Sequence, residues 1–350
     1  MLIYDKNAVS DDKGRLYFFD NAKFILIFLV VLAHAVGPLK NNAFASVIWV
    51  VINSFHMPAM IFISGFFAKR YISKTREIKV QRIVTFAILY LAAQVCFFLF
   101  TRFALGTTAT FASLLLPRAA LWFLLCLIGW HVMLPVLNYF KPKHVLIAAV
   151  LMGLLIGYEN EAASFLSISR FFVHLPAFMA GYYIKQEHID KLHAKKGLKW
   201  IGLAIFAAVT AVCAIWFRTD LRSLLVSNTP YAKIPLVKAM PQALQWSARL
   251  GFYVVAAALI FAFLVLVPRG KAIFTTLGKE TLSVYLLHIP LYLANNQLRW
   301  YLLFDSPGGI ALLCLIALVL TVVLSLKPFT LPFHWLQSIK VRTREPEGET

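Results

Sequence analysis

Charged residues are scarce in this sequence, and acidic residues are the scarcest among them. Asp, Glu, Lys and Arg together make up 14% of the 350 residues, whereas hydrophobic residues make up 61%. Soluble domains usually carry about 25% charged and about 45–50% apolar residues. A soluble protein of this composition would lack a polar coat. The composition therefore excludes an ordinary soluble protein and indicates an integral membrane protein.

Cysteine is rare as well. The four cysteines lie in apolar runs and form no CxxC pair, so we expect neither a disulfide framework nor a cysteine metal site: Cys96, Cys126, Cys213 and Cys314. The HxxxH and HExxH patterns of histidine metal sites are also missing. The polar N-terminus does not read as a signal peptide, because the first apolar run begins later and is too long. We expect that run to remain a membrane span.

What the chain does contain is apolar runs of spanning length. A membrane helix needs about 20 apolar residues. Ten segments meet this description or come close to it: 23–40, 45–67, 83–103, 119–139, 144–158, 168–185, 199–217, 246–267, 281–303 and 309–326. With both termini in the cytoplasm, most of the 34 Lys and Arg residues fall on the inner side, as the positive-inside rule requires.

The sequence therefore predicts an all-α bundle of about ten transmembrane helices. Residues 1–340 form the membrane domain, and residues 341–350 form a disordered cytoplasmic tail. The net charge of +19 is assigned to the cytoplasmic loops and not to nucleic-acid binding. The longest outer connection, residues 218–245, mixes apolar and polar residues and is expected at the membrane surface.

Ionisable side chains inside spans are costly and usually functional. Lys23 and His34 are 11 residues apart, which is about 1100° of rotation at 100° per residue. They therefore share one face of the first helix, with an axial separation of about 16 Å. We expect Lys23 at the cytoplasmic mouth and His34 near mid-membrane. Histidine is the natural general base near neutral pH.

Other polar groups occur in later spans. His56 follows Asn53 and precedes Pro58, which is expected to kink the second span. Counted inward from the outer end of that span, His56 also falls near mid-membrane, where it could meet His34. Further histidines in spans four and six, His131 and His174, read better as packing residues. The remaining candidate site residues are Trp122 in the fourth span and Tyr285 and His288 in the ninth.

Five motifs, taken in order, resemble the membrane acyltransferase-3 family, and within it the fucose 4-O-acetylase-like branch. The first is a basic residue, ten residues and then histidine. Lys23 and His34 match it, although most members have Arg at the first position. The others lie at 55–67, 121–124, 174–183 and 282–290. The resemblance covers roughly residues 15–326.

The resemblance implies an enzyme that takes an acyl group, usually acetyl, from cytoplasmic acyl-CoA. It implies transfer to a hydroxyl of an envelope glycan or lipid-linked sugar beyond the membrane, which fits a multi-pass protein of the bacterial plasma membrane. His34 matches the essential histidine, and His56 and His288 are predicted as further catalytic residues. The predicted CoA-phosphate contacts are Lys23, Arg76, Lys79 and Arg82. The predicted acceptor contacts are Asn53, Trp122 and Tyr285.

Lys79 and Arg82 are the closest match to the basic RxxR element of the family, with Lys in place of the first Arg. Lys binds phosphate as a point charge and lacks the bidentate fork. In the expected reaction, His34 acts as a general base or accepts the acyl group transiently, and no metal takes part. One alternative uses the same polar residues, a transporter or flippase for a lipid-linked sugar. A second alternative, a structural or regulatory membrane subunit, leaves Lys23 and His34 on one face unexplained. The acceptor and the oligomeric state stay open.

Overall fold

The computed structural model describes residue 10 and residues 15–69, 80–107, 116–160, 165–195, 197–216 and 221–338. These residues fold as helices joined by short turns, and no β-strand occurs among them apart from an isolated bridge between Ser10 and Leu16. The helices are α1 (Tyr17–Val36), α2 (Ala43–Asn53), α3 (His56–Ala68), α4 (Val80–Leu99), α5 (Trp122–Leu137), α6 (Pro142–Leu155), α7 (Ile168–Tyr183), α8 (Gln186–Ala194), α9 (Leu198–Ile215), α10 (Leu221–Val226), α11 (Pro235–Lys238), α12 (Trp246–Leu266), α13 (Thr281–Leu298), α14 (Pro307–Leu324) and α15 (Lys327–Ser338).

All ten predicted spans coincide with helices. In the described part of the chain, seven helical stretches are long and apolar enough to cross a membrane: Tyr17–Val36, Ala43–Ala68, Val80–Ala104, Ala119–Leu137, Leu198–Ile215, Gln242–Leu266 and Pro307–Leu324. The helices α6, α7 and α13 fall outside that group, so the count of ten and the cytoplasmic termini stay predictions. The all-α, multi-pass membrane bundle is confirmed. The tail at 341–350 lies outside the described residues.

The first helix lies at the centre of the bundle. It packs against α2, α3, α13 and α14, and most of its side chains are buried. It begins at Tyr17 and ends at Val36, several residues earlier at both ends than the predicted span. His34 is therefore closer to the far end of the helix than expected. We call the end of the bundle at Tyr17 the inner end and the end at Val36 the outer end.

The second span is a broken helix. The helix α2 ends at Asn53, and α3 starts at His56 after a turn in which Phe55 departs from helical geometry. Pro58 explains the position of the break, because its ring cannot accommodate the carbonyl four residues earlier, that of Ser54. Ser54 instead turns its hydroxyl to the carbonyl of Val50 at 2.7 Å. The break leaves His56 as the first residue of α3.

The closest helix crossing joins α3 to α7. A Cβ added at Gly65 would overlap the backbone of Phe178, and a Cβ added at Gly181 would overlap the backbone of Phe62. Each glycine therefore lies directly against the backbone of the opposite helix. Small residues give membrane helices this kind of contact, since lipid chains offer no hydrophobic drive for association.

At the outer end, the segment from α10 to α11 packs onto the bundle. Tyr231 and Val237 are fully buried, and the Tyr231 hydroxyl donates to the carbonyl of Leu154 at 2.9 Å. Buried hydroxyls of this kind need such a partner. This segment therefore forms a cover over the outer ends of the helices.

Candidate active site

A cavity of about 510 Å³ opens at the inner end of the bundle. Its wall is built by α1, α3, α4, α5 and α13, and Gln337 of α15 lies at its mouth. Small-molecule sites typically occupy about 300–1,000 Å³ and are mainly apolar with a few polar groups. The cavity fits both descriptions, with polar residues near its mouth and apolar side chains deeper inside.

The mouth is strongly basic. Four cationic side chains and one carboxylate belong to the wall: Arg15, Lys23, Arg82, Lys279 and Asp20. Arg15 donates to both carboxylate oxygens of Asp20 at 2.6 and 2.7 Å, and Lys23 Nζ lies 2.8 Å from Asp20 Oδ1. Asp20 thus compensates only part of the positive charge. A basic rim with a single buried carboxylate favours an anionic group such as a phosphate.

From the mouth, the cavity follows one face of α1. Lys23, Ile27 and Val30 line it in turn, at helical spacing. The next residue on this face is His34, about 6 Å further along the axis. Tyr285 of α13 closes the opposite wall and donates its hydroxyl to the carbonyl of Ala120 at 2.5 Å. The cavity therefore ends one helical turn below His34.

His34 lies in a small cluster with two side chains of α13. Its ring centroid is 5.2 Å from that of His288 and 4.4 Å from that of Tyr292. His288 uses Nδ1–H to donate to the carbonyl of Val284 at 2.8 Å. In its neutral form, Nε2 of His288 then carries a lone pair, and this buried atom has no hydrogen-bond partner among the described residues. Two imidazoles thus meet beyond the end of the cavity.

The rings that contact His34 in the described part of the chain belong to α13. His56 lies near enough to act electrostatically on His34, but its Nδ1 donates to the carbonyl of Ile52 in α2 at 2.8 Å. Asn53 does the same, donating to the carbonyl of Trp49 at 2.8 Å. The helix break explains both, since it frees carbonyl groups at the end of α2 that nearby side chains can satisfy.

Trp122 lies away from the cavity, near the outer end. It stacks on His174 with ring centroids 5.4 Å apart, and the guanidinium of Arg170 lies 5.1 Å from its ring centre. His174 packs in this stack, in keeping with the packing role expected for it. His131 lines the inner cavity and bonds the carbonyl of Leu127 through Nδ1 at 2.7 Å.

Only part of the basic run at 69–82 lies among the described residues. Arg76 and Lys79 lie outside the described residues, so their predicted roles stay predictions. Lys69 turns away from the cavity and donates to the carbonyl of Ile184. Burial lowers the pKa of Lys69, and the nearby charge of Lys185 lowers it further. Arg82 does line the cavity and lies over the ring of Phe86 at 4.7 Å.

Within the described ranges, no group of three or more His, Cys, Asp or Glu side chains is arranged to hold a metal ion. The side chains of the site supply a basic mouth, an apolar wall, and a pair of imidazoles with a phenol beyond its end. Such a set can bind an anionic ligand at one end and move a proton at the other.

Two features of the site were missed by sequence reasoning. Tyr292 lies four residues after His288 on the same helical face, so spacing alone would have found it. Arg170 and Arg249 lie inside predicted spans, where a charged residue is a functional candidate by default. Both signals are present in the sequence.

Fold and site together define a multi-pass membrane protein with a basic inner cavity. A family model described as an acyltransferase domain matches residues 16–326, which is most of the chain. The chain therefore belongs to the membrane acyltransferase-3 family and is an acyltransferase. No curated protein and no solved structure gives a significant match to it. The assignment to the fucose 4-O-acetylase-like branch stays a prediction.

Proposed function

We propose that this acyltransferase moves an acyl group, acetyl in the first instance, from acyl-CoA to a hydroxyl of a glycan acceptor. The donor enters the inner cavity from the cytoplasm, and the acceptor reaches His34 from the opposite side. The observation that carries the proposal is the cavity itself, with a basic mouth at Lys23 and an inner end one turn below His34.

Donor binding divides along the cavity. The phosphates of CoA lie against the cationic rim, to which Lys23 and Arg82 both contribute positive charge. The apolar wall at Ile27 and Val30 suits the uncharged pantetheine arm. The axial distance from Lys23 to His34 is about 16 Å, so the thioester at the end of that arm is carried towards the two imidazoles.

The reaction moves the acyl group from the sulfur of CoA to the oxygen of the acceptor hydroxyl. His34 accepts the proton of the acceptor hydroxyl, and the oxygen attacks the thioester carbon. The C–S bond breaks, and the CoA thiolate leaves and takes up the proton from His34. His288 lies beside His34 with Nε2 unoccupied and can accept a hydrogen bond from it. A transient acyl-histidine is the other route that this geometry permits.

The test is labelled acetyl transfer by the purified full-length protein in proteoliposomes. His34→Ala is expected to abolish transfer from labelled acetyl-CoA, whereas His144→Ala, an exposed position at the start of α6, should leave it unchanged. Both variants should retain the melting temperature of the wild type. Transfer at wild-type rate by a folded His34→Ala variant would refute the role of His34. Movement of a lipid-linked sugar without consumption of acyl-CoA would instead support a transporter.

A further inference from the structure

A second cluster of cations lies at the outer end of the bundle, away from the donor cavity. It consists of one arginine from each of three elements, and we call it the outer arginine cluster: Arg170 of α7, Arg222 of α10 and Arg249 of α12. The ion pairs found among the described residues involve other cations, so none of the three is matched by a described carboxylate. The cluster is therefore a concentration of uncompensated positive charge.

Each of the three arginines uses one donor nitrogen to hold the segment from α10 to α11 against the bundle. Arg170 Nε donates to the carbonyl of Val226 at 3.0 Å, and Arg249 Nη1 donates to the carbonyl of Leu224 at 3.1 Å. Arg222 Nη1 donates in the same way to the carbonyl of Gly37 at 2.8 Å, at the end of α1. These bonds satisfy helix-end carbonyls, which is a structural role.

The remaining donors have no such explanation. Arg249 is 0% exposed, yet its Nε and Nη2 have no hydrogen-bond partner among the described residues. Nε and Nη2 of Arg222 are buried and unpartnered in the same sense. For Arg170, neither Nη group bonds a described residue. Burying guanidinium donors without partners is costly, so structural capping alone does not account for the buried unpartnered donors of Arg222 and Arg249.

The cluster is close to the reaction centre. The charge of Arg170 acts electrostatically on His34, and the charge of Arg249 acts on His174, which stacks on Trp122. Trp122 also carries Arg170 over its ring. An anion on Arg170 would thus lie beside an aromatic surface and within electrostatic range of His34. Aromatic rings commonly form the platform on which sugar-like ligands with apolar faces pack.

We propose that the acceptor carries an anionic group, a phosphate or a carboxylate, which binds to the outer arginine cluster through Arg170. This rests on the proposed function and specifies its acceptor as an acidic or phosphorylated glycan. The fork of Arg170 holds the anion, and the buried charges of Arg222 and Arg249 strengthen the local positive potential. The anchored acceptor then presents its hydroxyl to His34.

The test measures binding of two matched glycosides to the full-length protein in phosphatidylcholine nanodiscs. Octyl glucuronide carries a carboxylate, and octyl glucoside is its neutral counterpart. The wild type is expected to bind the glucuronide at least about tenfold more tightly, as a charge-assisted hydrogen bond allows. Arg170→Gln should remove this preference, and Arg102→Gln, at an exposed outer arginine, should preserve it.

Equal affinity of the wild type for the two glycosides would overturn the proposal, and that result needs no variant to fold. A preference that survives in Arg170→Gln would overturn the role of Arg170. Repetition in nanodiscs containing phosphatidylglycerol separates the two sources of anion. A preference that persists there supports the acceptor, whereas its loss would assign the cluster to lipid headgroups and contradict the proposal. Absence of acyl transfer would leave this binding result standing and would refute only the proposed function.

Discussion

The part of α1 between the inner cavity and His34 offers the sharpest test of the site. Val30 is the last residue of α1 on the cavity wall, and its side chain is only 3% exposed. Replacing it with phenylalanine extends the side chain by roughly 2–3 Å into the passage, since each added carbon contributes about one covalent bond length. The donor thioester would then stop short of its reacting position.

The expected loss follows from that displacement. Reacting atoms must approach to about 3–3.5 Å, and a misplacement of about 1 Å costs on the order of 100-fold in rate. Val30→Phe should therefore lower turnover by at least about 100-fold. The affinity for CoA itself should change by less than about threefold, because the proposed phosphate contact at Lys23 lies about two turns below Val30.

The folded state should tolerate the change. Overpacking a filled core costs about 1–3 kcal/mol, and Val30 is only 3% exposed, so the cost of this substitution should fall within that range. The assay is single-turnover transfer of labelled acetyl groups, with CoA affinity measured by titration. The control is Val136→Phe on α5, at a position that is 61% exposed and off the cavity wall. Near-normal turnover with Val30→Phe would show that the donor does not use this passage.

Two further predictions concern stability. Gly181→Ala should lower the free energy of unfolding by about 1–3 kcal/mol, because the added methyl would overlap the backbone of Phe62. The control is Gly251→Ala, whose added methyl meets no neighbour within 4 Å. It should be neutral or slightly stabilising when thermal unfolding of the two variants is compared. Asp20→Asn should lower the melting temperature, since Lys23 loses its carboxylate partner. Adding Lys23→Met should recover part of that loss, and strict additivity of the two changes would contradict a coupled pair.

Composition and periodicity were sufficient for the class of protein and the course of the chain. A sequence with 61% hydrophobic residues must place most of them against lipid or against each other, so the helical spans could be located directly. The rotation of 100° per residue also placed Lys23 and His34 on one face. The structure bears this out, because that face forms the cavity wall and continues to His34.

The partners of that face could not be obtained in the same way. His56 was expected to meet His34 and does lie within electrostatic range of it, but the rings in contact with His34 are His288 and Tyr292 of α13. The helical period can be recognised within each segment by itself. Which helices meet depends on side-chain volumes and close glycine contacts between residues far apart in the chain.

The outer arginine cluster shows the same division. Each of its arginines is visible in the sequence as a charge in or beside an apolar segment. Their convergence depends on the cover from α10 to α11, whose carbonyls and buried Tyr231 bring three separate elements together. The sequence alone therefore determined that the chain crosses the membrane and carries a basic-to-histidine face. Only tertiary packing decided which groups surround His34, because those contacts join residues that no local pattern relates.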